Sequence, residues 1–387
     1  MSLSFHSTGR FFESLWPFPE GPRNCHQLSS SACRPTDPVK TLRSTHNPPA
    51  LRIMTFTGEI YRNLQWCSKP ERLLACLLAS GRVVMLPPLT MKVIFIVVGM
   101  ALLAGNSLLS AAPQGSDRDP ITVPLWPDGK APNGDHSFDS KNATITVHRP
   151  SESNGVAIVI CPGGGYGALM MEPEGHGIAR WLKSFGITGV VLRYRLPRGR
   201  SSVPLLDVQR ALRVVRSRGA REWDCDPSRV GVMGFSAGGH LASTAVTHFD
   251  GGTPEAASLV ERVSSRPDFG ILIYPVITMG TGTHGGSRRN LLGATPSADA
   301  VEFYSNDKQV NQDTPPCYLA HAKDDGPVPP INSRLFHEAL RSNGIESEYL
   351  ELPSGGHGLN GYKGPMWEAW QKGVLAWMRR IKVLRGL

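Results

Sequence analysis

A serine at the apex of a sharp strand-to-helix turn is the feature that most constrains this sequence. Residues 230–235 form a short apolar run typical of a buried strand, and residues 241–246 form an apolar helical run. Between them, Gly234, Ser236 and Gly238 form a Gly-x-Ser-x-Gly pattern. Side chains at the two glycines would clash with the neighbouring strand or helix. The pattern predicts a nucleophilic serine, and the alternative is a plain Gly-rich turn between a strand and a helix.

The residues that could activate this serine follow two later predicted strands. Asp324 and Asp325 come after the apolar run at 316–321, and His357 follows the run at 347–352. Groups at the carboxyl ends of parallel strands meet at one edge of a sheet. His357 would accept the serine proton, and one of the two aspartates would orient and stabilise the imidazole. The alternatives are a surface-loop role for His357 and, for the aspartate that is not the acid, a loop or turn role.

A glycine-rich loop follows an earlier predicted strand. The β-branched run at 156–161 ends in residues 162–167, which read Pro-Gly-Gly-Gly-Tyr-Gly. Acyl transfer needs two N–H donors for the oxyanion, and such a loop supplies one of them. We assign these donors to Ala237 and to Gly164 or Gly165. The loop lacks the Gly-Lys-Ser/Thr ending of a phosphate-binding loop and the spacing of a dinucleotide fingerprint.

These motifs together resemble the α/β-hydrolase superfamily, and within it secreted bacterial acetylxylan esterases and related carbohydrate-ester hydrolases. The resemblance spans about residues 121–384, and the segments that carry it are 161–166, 191–197, 207–213, 234–240, 274–278, 314–316, 324–328 and 355–358. It implies a serine esterase that forms an acyl-enzyme on small acyl esters, acetyl above all, of small molecules or polysaccharides.

The resemblance also narrows the choice of acid and of function. Such hydrolases often carry the acid as Asp-x-x-Val, which Asp325 and Val328 match, so Asp325 is preferred to Asp324. A serine exopeptidase or lipase of the same fold, or a non-catalytic binding protein, is the alternative. Exopeptidases of the prolyl oligopeptidase type usually add a propeller, for which residues 112–145 leave no room. A dienelactone-hydrolase-like enzyme would carry Cys in place of Ser236.

Strands and helices alternate along the rest of the chain, which predicts a mostly parallel, doubly wound α/β sheet. Residues 142–148 are predicted as an antiparallel edge strand, and residues 205–218 as a helix with one apolar face and a solvated arginine face. Residues 278–312 break the alternation, as a lid-like or substrate-binding insertion does. His284, Arg288 and Arg289 in this insertion are candidates for substrate contact, and a plain cover over the sheet is the alternative.

The N-terminal part differs from the rest of the chain. Residues 91–112 have the charged start, apolar core and small-residue end of a secretory signal peptide. Residues 1–90 are predicted to be a disordered extension, or a stretch upstream of a true start at Met91. The hydrolase domain is then 113–387, in a secreted or periplasmic protein without stable membrane association after processing. If the extension is real, the apolar stretch would instead be a membrane anchor.

Charge and cysteine content exclude other classes of protein. The net charge is +9, but residues 113–387 carry 30 Lys or Arg against 27 Asp or Glu, so the domain has no basic surplus suited to nucleic acid. Cys161 and Cys317 lie in predicted strands as free buried thiols, and Cys225 leaves an odd number for disulfides. No Cys/His spacing resembles a zinc site, and we expect no metal or cofactor. The sequence does not predict an oligomeric state.

Overall fold

The computed structural model describes residues 119–126, 131–132 and 143–384. The predicted N-terminal extension (1–90) and signal peptide (91–112) lie outside the described residues. The proposed division of the chain therefore stays a prediction.

The described residues form one eight-stranded sheet. Its strands are β1 (Ile121–Pro124), β2 (Thr144–His148), β3 (Ala157–Cys161), β4 (Thr188–Arg193), β5 (Val230–Phe235), β6 (Gly270–Ile273), β7 (Cys317–Ala322) and β8 (Ser347–Leu352). They lie in the order β1-β2-β4-β3-β5-β6-β7-β8. Strands β1, β2 and β4 pair antiparallel, and all pairings from β4 to β8 are parallel. The prediction of a mostly parallel α/β sheet is confirmed.

Helices connect the strands. They are α1 (Gly177–Lys183), α2 (Ser202–Glu222), α3 (Ser236–Thr247), α4 (Gly285–Leu292), α5 (Ala298–Phe303), α6 (Ile331–Ser342), a kinked helical turn α7 (Leu359–Tyr362) and α8 (Gly364–Arg380). A π-helical turn (Glu172–His176) leads into α1, and a 3₁₀ turn (Asn306–Lys308) follows α5. None of the described helices is long and apolar enough to cross a membrane.

Helices cover both faces of the sheet, which gives three layers. Successive residues of β3 point to opposite faces: Val159 and Cys161 join one buried apolar cluster, and Ile158 and Ile160 join the other. Helices α2, α3 and α6 pack on the first face, and α1 and α8 on the second. Burial on both faces explains why the central strands are almost continuously apolar.

Strand register brings the candidate site residues to one edge of the sheet. Cys161 at the end of β3 lies opposite Gly234 near the end of β5, so the glycine-rich loop and the serine turn leave the sheet side by side. Ala322 of β7 lies opposite Leu352 of β8, so the loops that carry the aspartates and His357 are also neighbours.

The predicted edge strand at 142–148 is not at the edge. It forms β2, and β1 pairs outside it with Ile121 opposite Val147. Strand β1 was not predicted, because its four residues are mostly exposed and the strand is too short for an alternating pattern to stand out.

The prediction of a solvated arginine face on α2 is wrong. The side chains of Arg210, Arg213 and Arg216 are only 15%, 12% and 12% exposed. All three pair with carboxylates from residues 250–268, and Arg213 and Arg216 also donate to main-chain carbonyls of that segment. The arginines therefore hold an irregular segment against α2 by satisfying its carbonyl groups.

The insertion at 278–312 is folded around two short helices, α4 and α5. Its residues Leu291 and Tyr304 are buried in the apolar cluster that also contains Val159 and Cys161 of β3. Asn306, also buried, donates to the main-chain carbonyl of His240 and to the hydroxyl of Ser243 on α3. The insertion is thus anchored on the helix that follows the serine.

Candidate active site

Ser236 lies at the junction of β5 and α3, as the motif predicts. Its φ of 53° is in the left-handed region, so the turn is strained at this residue. A Cβ at Gly234 would lie 2.1 Å from the carbonyl oxygen of Gly238, and one at Gly238 would lie 2.1 Å from that of Cys161. Both glycines are therefore required sterically for the chain to make this turn.

A chain of hydrogen bonds joins the three side chains that the sequence analysis singled out. Nε2 of His357 is 2.9 Å from Oγ of Ser236, and its Nδ1 is 2.8 Å from Oδ2 of Asp325. Because an ionised carboxylate only accepts, Nδ1 carries the proton and Nε2 accepts from the serine hydroxyl. The Asp325 side chain is fully buried and that of His357 is 26% exposed, so the imidazole lies at the solvent boundary.

The two adjacent aspartates make different contacts. Asp325 bonds to His357, whereas Asp324 accepts from the main-chain N–H groups of Gly355 and Gly356, at 3.2 and 2.8 Å. The bond from Gly356 is the main cause that lowers the pKa of Asp324. Asp324 thus fixes the loop that carries the imidazole, while Asp325 contacts the imidazole itself.

Asp325 has a second histidine partner, which the sequence analysis missed. Nε2 of His321 lies 3.2 Å from Oδ2 of Asp325, and the main-chain N–H of Val328 donates to Oδ1 at 2.9 Å. Burial alone would raise the pKa of Asp325, but bonds from His321, His357 and Val328 lower it to about 2. The carboxylate is therefore ionised at neutral pH. A histidine four residues before the acid was the available signal.

The glycine-rich loop is pressed against the nucleophile. A Cβ at Gly163 would lie 2.9 Å from Cβ of Ser236, and Gly164 and Gly165 have φ of 124° and 63°. None of the hydrogen bonds within the described ranges uses the N–H groups of Gly164, Gly165 or Ala237. These predicted oxyanion donors thus remain available to a ligand, and their role stays a prediction.

The insertion reaches the glycine-rich loop through helix α4. Nδ2 of Asn290 donates to the carbonyl of Gly165 at 2.8 Å. His284 caps α4 by accepting from the main-chain N–H of Ser287 at Nδ1, so its proton is on Nε2. Burial, and secondly the neighbouring imidazole of His357, lower the pKa of His284, which is therefore neutral at pH 7.

The predicted substrate contacts in the insertion fall into two groups. His284 lies beside the loop: a Cβ at Gly165 would be 3.8 Å from its Cε1. Within residues 143–384, no hydrogen bond or ion pair joins Arg288 or Arg289 side chains to the loop or to Ser236, Asp325 and His357. Contact of any of these insertion residues with substrate stays a prediction.

The described residues include three cysteines. Cys161, Cys225 and Cys317 are free and buried, as predicted for Cys161 and Cys317. The described residues contain no group of three or more His, Cys, Asp or Glu side chains that could hold a metal ion.

A strained serine between a parallel strand and its helix, with an Asp–His pair beyond two later strands, defines the α/β-hydrolase class. Comparison with protein families agrees with this assignment. The chain belongs to the BD-FAE family, whose model matches residues 145–340, about half of the chain.

Two of the relatives that the chain matches are named for activity on xylan. The chain is 37% identical over 223 residues to endo-1,4-beta-xylanase B of Butyrivibrio fibrisolvens, and 34% identical over 262 residues to an acetylxylan esterase of Xylanibacter ruminicola. These matches cover 56% and 66% of this chain but only 34% and 49% of the relatives, so the chain spans half or less of the length of these curated relatives.

A solved structure matches over its full length. The acetyl ester-xyloside bifunctional hydrolase from Caldicellulosiruptor lactoaceticus has a TM-score of 0.64 and 37% identity, and the match covers 71% of this chain and 100% of that one. The resemblance to acetylxylan-esterase-like α/β hydrolases that the motifs indicated is therefore confirmed.

Proposed function

We propose that this chain is a serine esterase that hydrolyses small acyl esters, acetyl above all, of carbohydrates. The observation that carries the proposal is the unbroken contact from Asp325 through His357 to Ser236, at 2.8 and 2.9 Å. The acetylxylan esterase among its relatives and the acetyl ester-xyloside hydrolase among its structural neighbours support a carbohydrate ester as substrate.

The first half of the reaction would acylate the serine. Oγ of Ser236 attacks the ester carbonyl carbon while its proton passes to Nε2 of His357. Asp325 stabilises the resulting imidazolium through Nδ1. The oxyanion accepts hydrogen bonds from the N–H of Ala237 and from Gly164 or Gly165, and loss of one such donor typically weakens transition-state binding by about 3 kcal/mol.

Collapse of the tetrahedral intermediate breaks the bond to the alcohol oxygen, which takes the proton from His357. In the second half, Nε2 of His357 accepts a proton from water, and the hydroxide attacks the acyl carbonyl carbon. The proton then returns to Oγ of Ser236 as the carboxylic acid leaves. No cofactor or metal takes part in this sequence of steps.

An acyl-chain series on the full chain tests the proposal. We expect hydrolysis of p-nitrophenyl acetate to exceed that of the butyrate and feruloyl esters, and acetate to be released from acetylated xylan. Both activities should be lost in Ser236→Ala. Absence of hydrolysis with every ester, or wild-type activity in Ser236→Ala, would show that the proposed function is wrong.

The predicted export of the protein is a separate proposal. It rests on the signal-peptide pattern of residues 91–112, and mass spectrometry of the N-terminus of the exported protein tests it. A mature N-terminus close to residue 113 would support it, and an intact N-terminus at Met1 would contradict it.

A further inference from the structure

Glu174 is a buried carboxylate directly beneath the glycine-rich loop. It lies in the π-helical turn before α1 and is 2% exposed. Its Oε2 accepts from the main-chain N–H of Gly163 at 2.7 Å, and its Oε1 accepts from the hydroxyl of Tyr274 at 3.0 Å. Burial raises the pKa of Glu174.

No ion pair among the described residues explains why this carboxylate is buried. Asp207, which is also fully buried, is bonded to the guanidinium of Arg195 at 2.7 Å. Within the described ranges, Glu174 has no Lys or Arg partner, and the titratable groups that face it are Tyr194, Tyr274, Tyr362 and His357. Burial of an unpaired carboxyl group is costly and indicates a specific role for its hydrogen bonds, of which those to Gly163 and Tyr274 lead to the site.

The first bond of Glu174 orients the glycine-rich loop at the nucleophile. A Cβ at Gly163 would lie 2.6 Å from Oε2 of Glu174 and 2.9 Å from Cβ of Ser236, so the three residues meet at one packed point. Because the N–H of Gly163 donates its hydrogen bond to Glu174, this N–H cannot donate to an oxyanion. Gly164 and Gly165 come directly after this fixed peptide, and their N–H groups remain free to donate to an oxyanion.

The second bond of Glu174 connects to the base. The ring of Tyr274 packs edge-on against the imidazole of His357, with 4.9 Å between the centroids. Tyr274 itself has a φ of 38°, in the left-handed region, and its N–H is bonded to the carbonyl of Ala320 at 2.7 Å. Its orientation is therefore set by the main chain at one end and by Glu174 at the other.

We propose that Glu174 is a positioning residue that holds the oxyanion donors and the imidazole in register with the same ester carbonyl. It acts through Gly163 on the loop and through Tyr274 on His357, and it does not contact the substrate. This role rests on the proposed esterase function.

Two substitutions of opposite character test the role. Glu174→Gln keeps the side-chain length and an acceptor oxygen but removes the charge, whereas Glu174→Asp keeps the charge but is one methylene too short to reach Gly163. For p-nitrophenyl acetate we expect kcat to fall by about 10- to 100-fold in Glu174→Asp with KM nearly unchanged, because a misplacement near 1 Å costs about that much. Glu174→Gln should retain kcat within about fivefold.

Glu172→Asp is the matched control. It shortens an exposed glutamate on the same turn, which pairs with Arg180 at the surface, and should leave kcat unchanged. If Glu174→Asp does not fold, Tyr274→Phe decides, since it removes only the hydroxyl that Glu174 holds. A loss of about tenfold in kcat supports the role, and an unchanged kcat overturns it.

Equal or higher kcat in Glu174→Asp than in Glu174→Gln would overturn the positioning role. Ser236→Ala, assayed alongside, separates this failure from that of the function. Wild-type turnover in Ser236→Ala would refute the esterase proposal itself. An inactive Ser236→Ala beside a fully active Glu174→Asp would refute only the role of Glu174.

Discussion

The serine turn and the glycine-rich loop form two adjacent sides of the candidate site, yet they are held in different ways. The serine turn depends on its own two glycines, because a side chain at Gly234 would collide with the carbonyl oxygen of Gly238 and one at Gly238 would collide with that of Cys161. The glycine-rich loop is held from outside: Tyr194 donates to the carbonyl of Pro162 at 2.7 Å, and helix α4 reaches Gly165. A local motif can therefore specify the nucleophile, whereas the oxyanion side depends on residues distant in the sequence.

The largest effect is expected on the side of the nucleophile and its base. Asp325→Asn should lower kcat by about 10⁴-fold, because the amide favours the wrong tautomer of His357 and cannot stabilise the imidazolium. Asp324→Asn keeps an acceptor oxygen for Gly355 and Gly356 and should lose less than about tenfold. Steady-state kinetics on p-nitrophenyl acetate measures both, and the reverse ranking would transfer the role of acid to Asp324.

A smaller effect is expected where the insertion holds the glycine-rich loop. Asn290→Ala removes the bond to the carbonyl of Gly165 and should lower kcat by about tenfold with little change in KM, because the loop donors are loosened but still present. Asn343→Ala removes a bond to the Ala339 carbonyl at the end of α6 and serves as the control. Equal kcat in both variants would mean that the loop keeps its shape without the hydrogen bond from Asn290.

The smallest effect is expected on stability, where the two sides are joined. The hydroxyl of Tyr166, in the loop, lies 2.8 Å from Nδ1 of His240, on the helix after the serine, and Nε2 of His240 bonds to the carbonyl of Tyr304. Burial lowers the pKa of His240 to about 4. Between pH 6.5 and 4 the unfolded chain binds a proton on this histidine that the folded chain does not, so stability is lost as pH falls through that range.

Thermal unfolding at a series of pH values checks this stability effect. The wild-type Tm should decrease from pH 6.5 to 4, and His240→Asn should be less stable at pH 7 but show a shallower decrease. A parallel decrease in the two proteins would show that His240 does not contribute to the acid sensitivity.

Much of the fold could be predicted from local patterns. The bounds predicted for β5 and β8, residues 230–235 and 347–352, match the structure, because apolar runs of that length between turn residues have few alternatives. The predictions of an edge position for β2 and of a solvated arginine face on α2 were wrong, since both depend on which segments pack against these elements. A strand pattern does not reveal its neighbours, and an arginine pattern does not reveal carboxylates 37 to 52 residues later.

The residues of the candidate site also divide into those that the sequence predicted and those that it did not. The motif order pointed to Ser236, Asp325 and His357, and the structure brings their side chains into contact, while their catalytic roles stay proposals. Glu174 and Asn290 were not predicted, because neither stands in a recognisable motif and the tertiary fold sets their contacts: Glu174 with Gly163 and Tyr274, and Asn290 with Gly165. Sequence motifs thus identify the candidate catalytic residues more readily than the residues that hold them in place.

Covalent labelling of the full chain with a fluorophosphonate, followed by intact-protein and peptide mass spectrometry, tests the central claim most directly. We predict one adduct per chain, on Ser236, with no adduct in Ser236→Ala and a far slower reaction in Asp325→Asn, since only an activated serine reacts in this way. An adduct at another residue, or ester hydrolysis that continues while Ser236 stays unlabelled, would contradict the account.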